Sequence, residues 1–121
     1  MKLLIVDDSP MMLEMVKFAA GELQMETIEA QNGIEALEKL SASYKEIGLI
    51  LLDWHMPEMN GYDVLVAIKS NDQYKGIPVM MVTMEGQKSS MVAAIRAGAD
   101  NYLIKPFTIE GLKSKILECI E

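Results

Sequence analysis

Five side chains, far apart along the sequence, could do chemistry together: Asp7, Asp8, Asp53, Thr83 and Lys105. Each stands directly after a short apolar run. Lys2–Val6 leads into Asp7-Asp8, Ile47–Leu52 into Asp53, Ile77–Val82 into Thr83, and Asn101–Ile104 into Lys105-Pro106. Three carboxylates against one ammonium would carry a charge of about −2, and like charges that close repel unless a proton or a cation intervenes. A divalent ion fits the deficit. Oxygen-only ligands select Mg²⁺, which binds through few carboxylates and keeps waters that a phosphate can replace. A carboxylate fixed on a strand end can also be a nucleophile toward phosphorus, giving an aspartyl phosphate. Mg²⁺, the Lys105 ammonium and the Thr83 hydroxyl would then each hold one oxygen of the transferring group. Singly, these residues have plainer roles as helix cap, turn or strand residue. Only their meeting at one end of a sheet gives them joint work.

The stretch Leu49–Gly61 shows what must position them. Four apolar residues end at Asp53, and Pro57 and Gly61 then break regular structure before a helical pattern begins. Such a run reads as a strand buried on both faces, as in a parallel sheet. Its carboxyl end is where open α/β sheets place ligands. Further strands are expected at Lys2–Val6, Thr27–Ala30, Ile77–Val82, entered through Pro78, and Asn101–Ile104. The first helix starts at Ser9-Pro10, an N-cap followed by proline, and carries Met12, Val16, Ala19, Ala20 and Leu23 at helical spacing. Asn32-Gly33 turns the chain into a second helix with Ile34, Leu37 and Leu40. Val64, Leu65 and Ile68 mark a third. Met91, Val92 and Ile95 mark a fourth, closed by Gly98, and Thr108 caps a fifth with Leu112, Ile116, Leu117 and Ile120. Strands alternating with helices over short connections predict an α/β fold: a parallel sheet with right-handed crossovers and helices on both faces.

Composition narrows the class. At 121 residues, 50% of them hydrophobic, the chain is expected to be one domain, residues 1–121, with no linker, repeat or output domain. Eighteen acidic against eleven basic residues give a net charge of −7, and no Lys/Arg cluster offers a nucleic-acid footprint. The apolar runs are far too short to cross a membrane. The start Met1–Val6 meets Asp7-Asp8 too soon for a signal peptide, so a cytoplasmic location is expected. The lone Cys119 reads as packing. Eleven methionines suit core filling and, in part, an adaptable surface.

The segments Leu-Ile-Val-Asp7-Asp8-Ser, Leu-Leu-Asp53-Trp-His-Met-Pro57-Glu-Met-Asn-Gly61, Met-Val-Thr83, Ala97-Gly98-Ala99 and Lys105-Pro106-Phe107 resemble the receiver domain of bacterial response regulators, along the whole chain. The resemblance implies a flavodoxin-like doubly wound (βα)5 fold with strand order 2-1-3-4-5. It implies that Asp53 accepts a phosphoryl group from a histidine kinase. Mg²⁺ would be held by Asp8, Asp53 and the backbone carbonyl of His55, with Asp7 acting largely through water. The Lys105–Pro106 bond would be cis. Thr83 and Tyr102 resemble the family's switch pair: the hydroxyl moves toward the phosphoryl group, the ring turns inward, and the face of the fourth helix, fifth strand and fifth helix changes. Phosphorylation would thus bias a bistable element. The Glu85–Tyr102 combination is most similar to the stand-alone, CheY-like chemotaxis regulators, which act as monomers on a flagellar motor-switch protein. Lys88, Met91, Ile95, Ala99, Tyr102 and Lys115 lie where that partner would bind; a phosphatase is a further partner the family resemblance allows. A plainer reading keeps Met91 and Ile95 in the core of their helix.

The sequence departs from the family at two places. Met84 follows Thr83 where a small residue is usual, and its thioether could narrow the path of a phosphodonor or of attacking water. Met84→Ala is predicted to change self-dephosphorylation; an unchanged phosphate lifetime refutes this. His55 replaces the usual Asn, and Glu58 also lies near the mouth, where it could repel or orient water. Three other readings remain open. A phosphatase of the haloacid dehalogenase type would need an acid where His55 stands. A phosphorelay intermediate would pass its phosphate to a histidine phosphotransfer protein. An inert scaffold would not need all five site residues.

Overall fold

A computed structural model describes residues 1–120. Strands β1 (Lys2–Val6), β2 (Glu26–Ala30), β3 (Ile47–Leu52), β4 (Val79–Thr83) and β5 (Asn101–Ile104) alternate with helices α1 (Pro10–Glu22), α2 (Gly33–Ser43), α3 (Gly61–Ser70), α4 (Lys88–Arg96) and α5 (Ile109–Ile120). All strand pairs are parallel, in the order β2-β1-β3-β4-β5. The expected flavodoxin-like topology is the one observed.

The central strands explain the two-layered core. Side chains alternate across a strand, and both sets are apolar here. Leu4, Val6, Ile50, Leu52, Val79 and Met81 face one side, against Leu40 of α2, Val64, Leu65 and Ile68 of α3 and Ala94 of α4. Leu3, Ile5, Leu49, Leu51, Met80 and Val82 face the other, against Leu13, Val16, Ala19 and Ala20 of α1 and Leu112 and Ile116 of α5. A strand covered twice must read as a continuous apolar run.

Helix starts follow ordinary capping chemistry, expected at Ser9 and Thr108 and found also at Asn32 and Asn60. Ser9, Asn32 and Asn60 are N-caps whose side-chain oxygens accept from the backbone N–H of Met12, Glu35 and Asp63. Asn32 is thus a cap and not only a turn residue. The Thr108 hydroxyl accepts from the N–H of Gly111. β2 begins one residue earlier than expected, and β4 begins two later. Pro78 has no N–H to give to the ladder; its carbonyl accepts from the N–H of Ile50, and the Val79 N–H goes to the Asp100 carboxylate at 2.8 Å. The Lys105–Pro106 bond is cis. No described helix is long and apolar enough to cross a membrane.

One expectation about the partner face is corrected. Ala99 is 6% exposed and packs with the core. Gly98 has φ of 110°, its N–H donates to the Ile95 carbonyl, and the Ala99 N–H donates to the Ala94 carbonyl. This pair of bonds is a Schellman ending, which turns the residue after glycine back onto the helix's last buried turn. Ala99 therefore supports the face from beneath.

Candidate functional site

The carboxyl ends of β1, β3 and β5 meet. One carboxylate oxygen from each of Asp7, Asp8 and Asp53 can be chosen so that all lie within 4.8 Å of one another. The Lys105 ammonium bridges two of them, 2.8 Å from Asp7 Oδ2 and 3.3 Å from Asp53 Oδ2. Asp7 and Asp53 are only 4% and 7% exposed, whereas Asp8 lies open to solvent. Asp7 is fully engaged, because its Oδ1 accepts the Ser9 N–H at 2.9 Å. Asp53 Oδ1 has only a long contact, 3.4 Å, from the His55 N–H. Among the described residues no hydrogen bond or ion pair engages the Asp8 carboxylate. The most exposed acid is thus the least committed.

Burial governs the electrostatics. Loss of hydration pushes the Asp7 carboxyl up from its ordinary value; the Lys105 hydrogen bond and charge and the Ser9 N–H pull it down, and the Asp53 charge adds to the rise. The acid cluster therefore retains an unmet demand for positive charge. Its donor set, three carboxylate oxygens of which one is free, fits a hard divalent cation.

The loop after Asp53 is held tightly. The Gly61 N–H donates to the Trp54 carbonyl at 2.7 Å, and a Cβ at position 61 would overlap the Asp53 carbonyl. Only glycine lets α3 begin that close to the phosphoacceptor candidate. Glu58, in the same loop, is exposed at φ 71° and does not line the cavity over the acids. That cavity, about 530 Å³, is lined by the acids, His55 and Lys105 together with the apolar Met11, Met12, Met15, Met84 and Phe107. Sequence reasoning placed Met84 there but missed the α1 methionines. Their i, i+4 spacing, Met11 to Met15, was the available signal.

Thr83 is fully buried at the end of β4. Its Oγ1 accepts the Glu85 N–H at 3.2 Å, which leaves its own proton free to donate. The Tyr102 hydroxyl donates to the Glu85 carbonyl at 2.6 Å. Both candidate switch residues thus hold opposite ends of one residue's backbone. The Glu85 carboxylate meets His55 Nε2 at 2.9 Å and accepts the Gln87 N–H at 3.2 Å. These bonds, His55 first, hold the Glu85 carboxyl below its ordinary value. Burial foremost, then the Glu85 and Asp53 charges, push the Tyr102 phenol up. The His55 ring, which lines the acid cavity, meets Glu85, a pairing the sequence did not reveal.

On the outer side of α4, Lys88, Met91 and Ile95 line a shallow groove of about 380 Å³ with Val92 and Arg96. Ile95 is 52% exposed, so the plainer core reading of that residue fails, while Met91 is half-buried. Lys115 on α5 pairs with Glu118 at 3.7 Å. Cys119 packs half-buried at the edge of the second core layer.

A family model described as "Response regulator receiver domain" matches residues 3–117. The chain belongs to the response regulator receiver domain family. It is of the CheY-like chemotaxis type. It is 44% identical over 117 residues to "Chemotaxis protein CheY1" of Helicobacter pylori, covering 96% of this chain and 94% of that one. It is 38% identical to "Chemotaxis protein CheY homolog" of Campylobacter jejuni, covering 96% and 89%. The structure of chemotaxis protein CheY4 of Vibrio cholerae superposes with a TM-score of 0.90 at 31% identity, covering 98% and 97%. Receiver domains are signalling domains and bind Mg²⁺ at their acidic pocket; the Asp7–Asp8–Asp53 cluster of this receiver could hold one such ion.

Proposed function

We propose that this receiver takes a phosphoryl group from a histidine kinase onto Asp53 in the cytoplasm, as one unit spanning residues 1–121. The observation that carries the reading is the Lys105 ammonium set between Asp7 and Asp53, with three carboxylates converging beside it. An Asp53 oxygen attacks phosphorus, the bond from phosphorus to the donor's imidazole nitrogen breaks, and that nitrogen takes up a proton. Lys105 and the free proton of Thr83 meet the negative charge on the transferred oxygens, where fixed donors are worth more than in water. Asp8, Asp53 and the His55 carbonyl would hold Mg²⁺, with Asp7 oriented by Ser9 and Lys105 to work through water. When bound, the ion supplies charge neutralisation at the phosphoryl oxygens.

Output follows from Glu85. If the Thr83 hydroxyl swings toward the phosphoryl group, the Glu85 N–H loses its acceptor, and the 84–87 segment that holds Tyr102 is released. Inward rotation of Tyr102 then alters the α4–β5–α5 face, where Lys88, Met91, Ile95 and Lys115 would meet a flagellar motor-switch protein or a phosphatase. A haloacid-dehalogenase-type hydrolase finds no support, since residue 55 offers an imidazole already turned onto Glu85.

Incubation with a phosphorylated kinase and Mg²⁺ should label Asp53, and Asp53→Asn should take no label; label on the variant defeats the reading. Pull-down with beryllium fluoride and Mg²⁺ should capture a motor-switch component. Capture of a histidine phosphotransfer protein instead would make this a relay intermediate.

A further inference from the structure

The acid pocket has an apolar wall that the phosphoryl chemistry does not need. Met84 is 75% exposed and Met11 is 71% exposed, yet both line the same cavity as Asp53 and Lys105. Single exposed apolar side chains are ordinary, but these two stand together at one mouth, beside the acids and the ammonium. The contrast with β4 is sharp: Met80 and Met81, four and three residues before Met84, are 0% exposed. Met84 also directly follows Thr83, whose hydroxyl is free to donate.

Sulfur is what separates these two residues from any other apolar wall. A thioether gives up an electron pair to a hydroperoxide. A new S–O bond forms as the peroxide O–O bond breaks, sulfur is oxidised by two electrons, the peroxide is reduced, and water leaves from hydrogen peroxide or the alcohol from an organic hydroperoxide. The product, a sulfoxide, is polar and a strong acceptor. Access decides which methionines react. The fully covered core sulfurs are shielded, and the two at the mouth are not.

We propose that Met84 and Met11 form an oxidation site for peroxides at the mouth of the phosphoacceptor pocket. Oxidation there replaces an apolar lid with oxygen acceptors that recruit water beside Asp53, so the acyl phosphate hydrolyses faster. The signal is shortened under peroxide and restored by methionine sulfoxide reductases. The consequence for signalling rests on Asp53 being the phosphoacceptor; the site of oxidation does not.

The test has two readouts. Limited hydrogen peroxide treatment followed by peptide mass mapping should place the first added oxygens on Met84 and Met11, and on the exposed Met1 outside the pocket, with Met80 and Met81 unmodified. Equal or earlier oxidation of the β4 pair overturns the assignment. Decay of phosphoryl label is then followed with Mg²⁺ before and after treatment. The oxidised protein should lose label severalfold faster and recover on reductase treatment. Met11→Leu/Met84→Leu should decay at one rate with or without peroxide. Unchanged decay in the oxidised wild type, or an equal acceleration in the double variant, overturns the proposal. Failure of the untreated wild type to take label overturns the phosphoacceptor reading, and with it the regulatory consequence, while the mass map still judges the site.

Discussion

Replacing Asp7 by Asn should stabilise the protein without metal and weaken it as a metal site. The side chain is 6% exposed, so its charge is held at a cost that Lys105, shared with Asp53, only partly offsets. Asn keeps the acceptor for the Ser9 N–H and nearly the same shape, and lowers the local negative charge by one. Exchanging a buried charge for a neutral group of similar volume gains about 1–4 kcal/mol. The low end, about 1 kcal/mol, applies here because the ammonium is left with one partner in place of two. The gain must depend on pH. Folding raises the Asp7 carboxyl above its ordinary 3.8, so the folded state binds more protons than the unfolded one between the two values. Wild-type stability therefore falls as pH rises through that window and carries the full penalty above it. Below 3.8 both states are protonated and the advantage of Asn vanishes. Mg²⁺ acts the other way. At 100 times its Kd it adds about 2.7 kcal/mol to the wild type, and a site ten times weaker forgoes about 1.3 kcal/mol of that. Urea unfolding at neutral pH in EDTA should show Asp7→Asn ahead by about 1 kcal/mol, with the gap closed by saturating Mg²⁺. A variant less stable in EDTA, or a gap that Mg²⁺ leaves untouched, would refute the reasoning.

Lys105→Met removes the one cation between two buried carboxylates and should cost about 3 kcal/mol in EDTA, part of it returned by Mg²⁺ in the same unfolding assay. Gly61→Ala pushes a methyl group into the Asp53 carbonyl and should cost about 2 kcal/mol by thermal unfolding. Its Mg²⁺ affinity, followed through Trp54, the single tryptophan, should fall as well. Tyr102→Phe deletes the bond to the Glu85 carbonyl and should cost about 1 kcal/mol, with Mg²⁺ binding unchanged.

Periodicity, caps and breakers lay open in the sequence because they are local physics. Doubly covered strands must be apolar throughout, Ser9 and Thr108 must precede helices that need their first N–H groups satisfied, and Gly98 must stand where φ is positive. Reactive residues at strand ends were legible for the same reason, since a strand that stops at Asp53 presents its next side chain to a crevice. The strand order came from family resemblance and was then observed. Side-chain partnerships were the work of tertiary structure. Lys105 reaches Asp7 across 98 residues of chain, and which of three acids it would leave free depends on strand order and burial that no local pattern encodes. The Schellman turn that draws Ala99 inward, the pairing of His55 with Glu85 and the methionine wall above Asp53 arise likewise from how helices rotate and loops meet. The sequence determined which groups arrive at the sheet's edge. The packing of the chain decided which of them touch, because contact is a property of distance in space and the chain records only distance along itself.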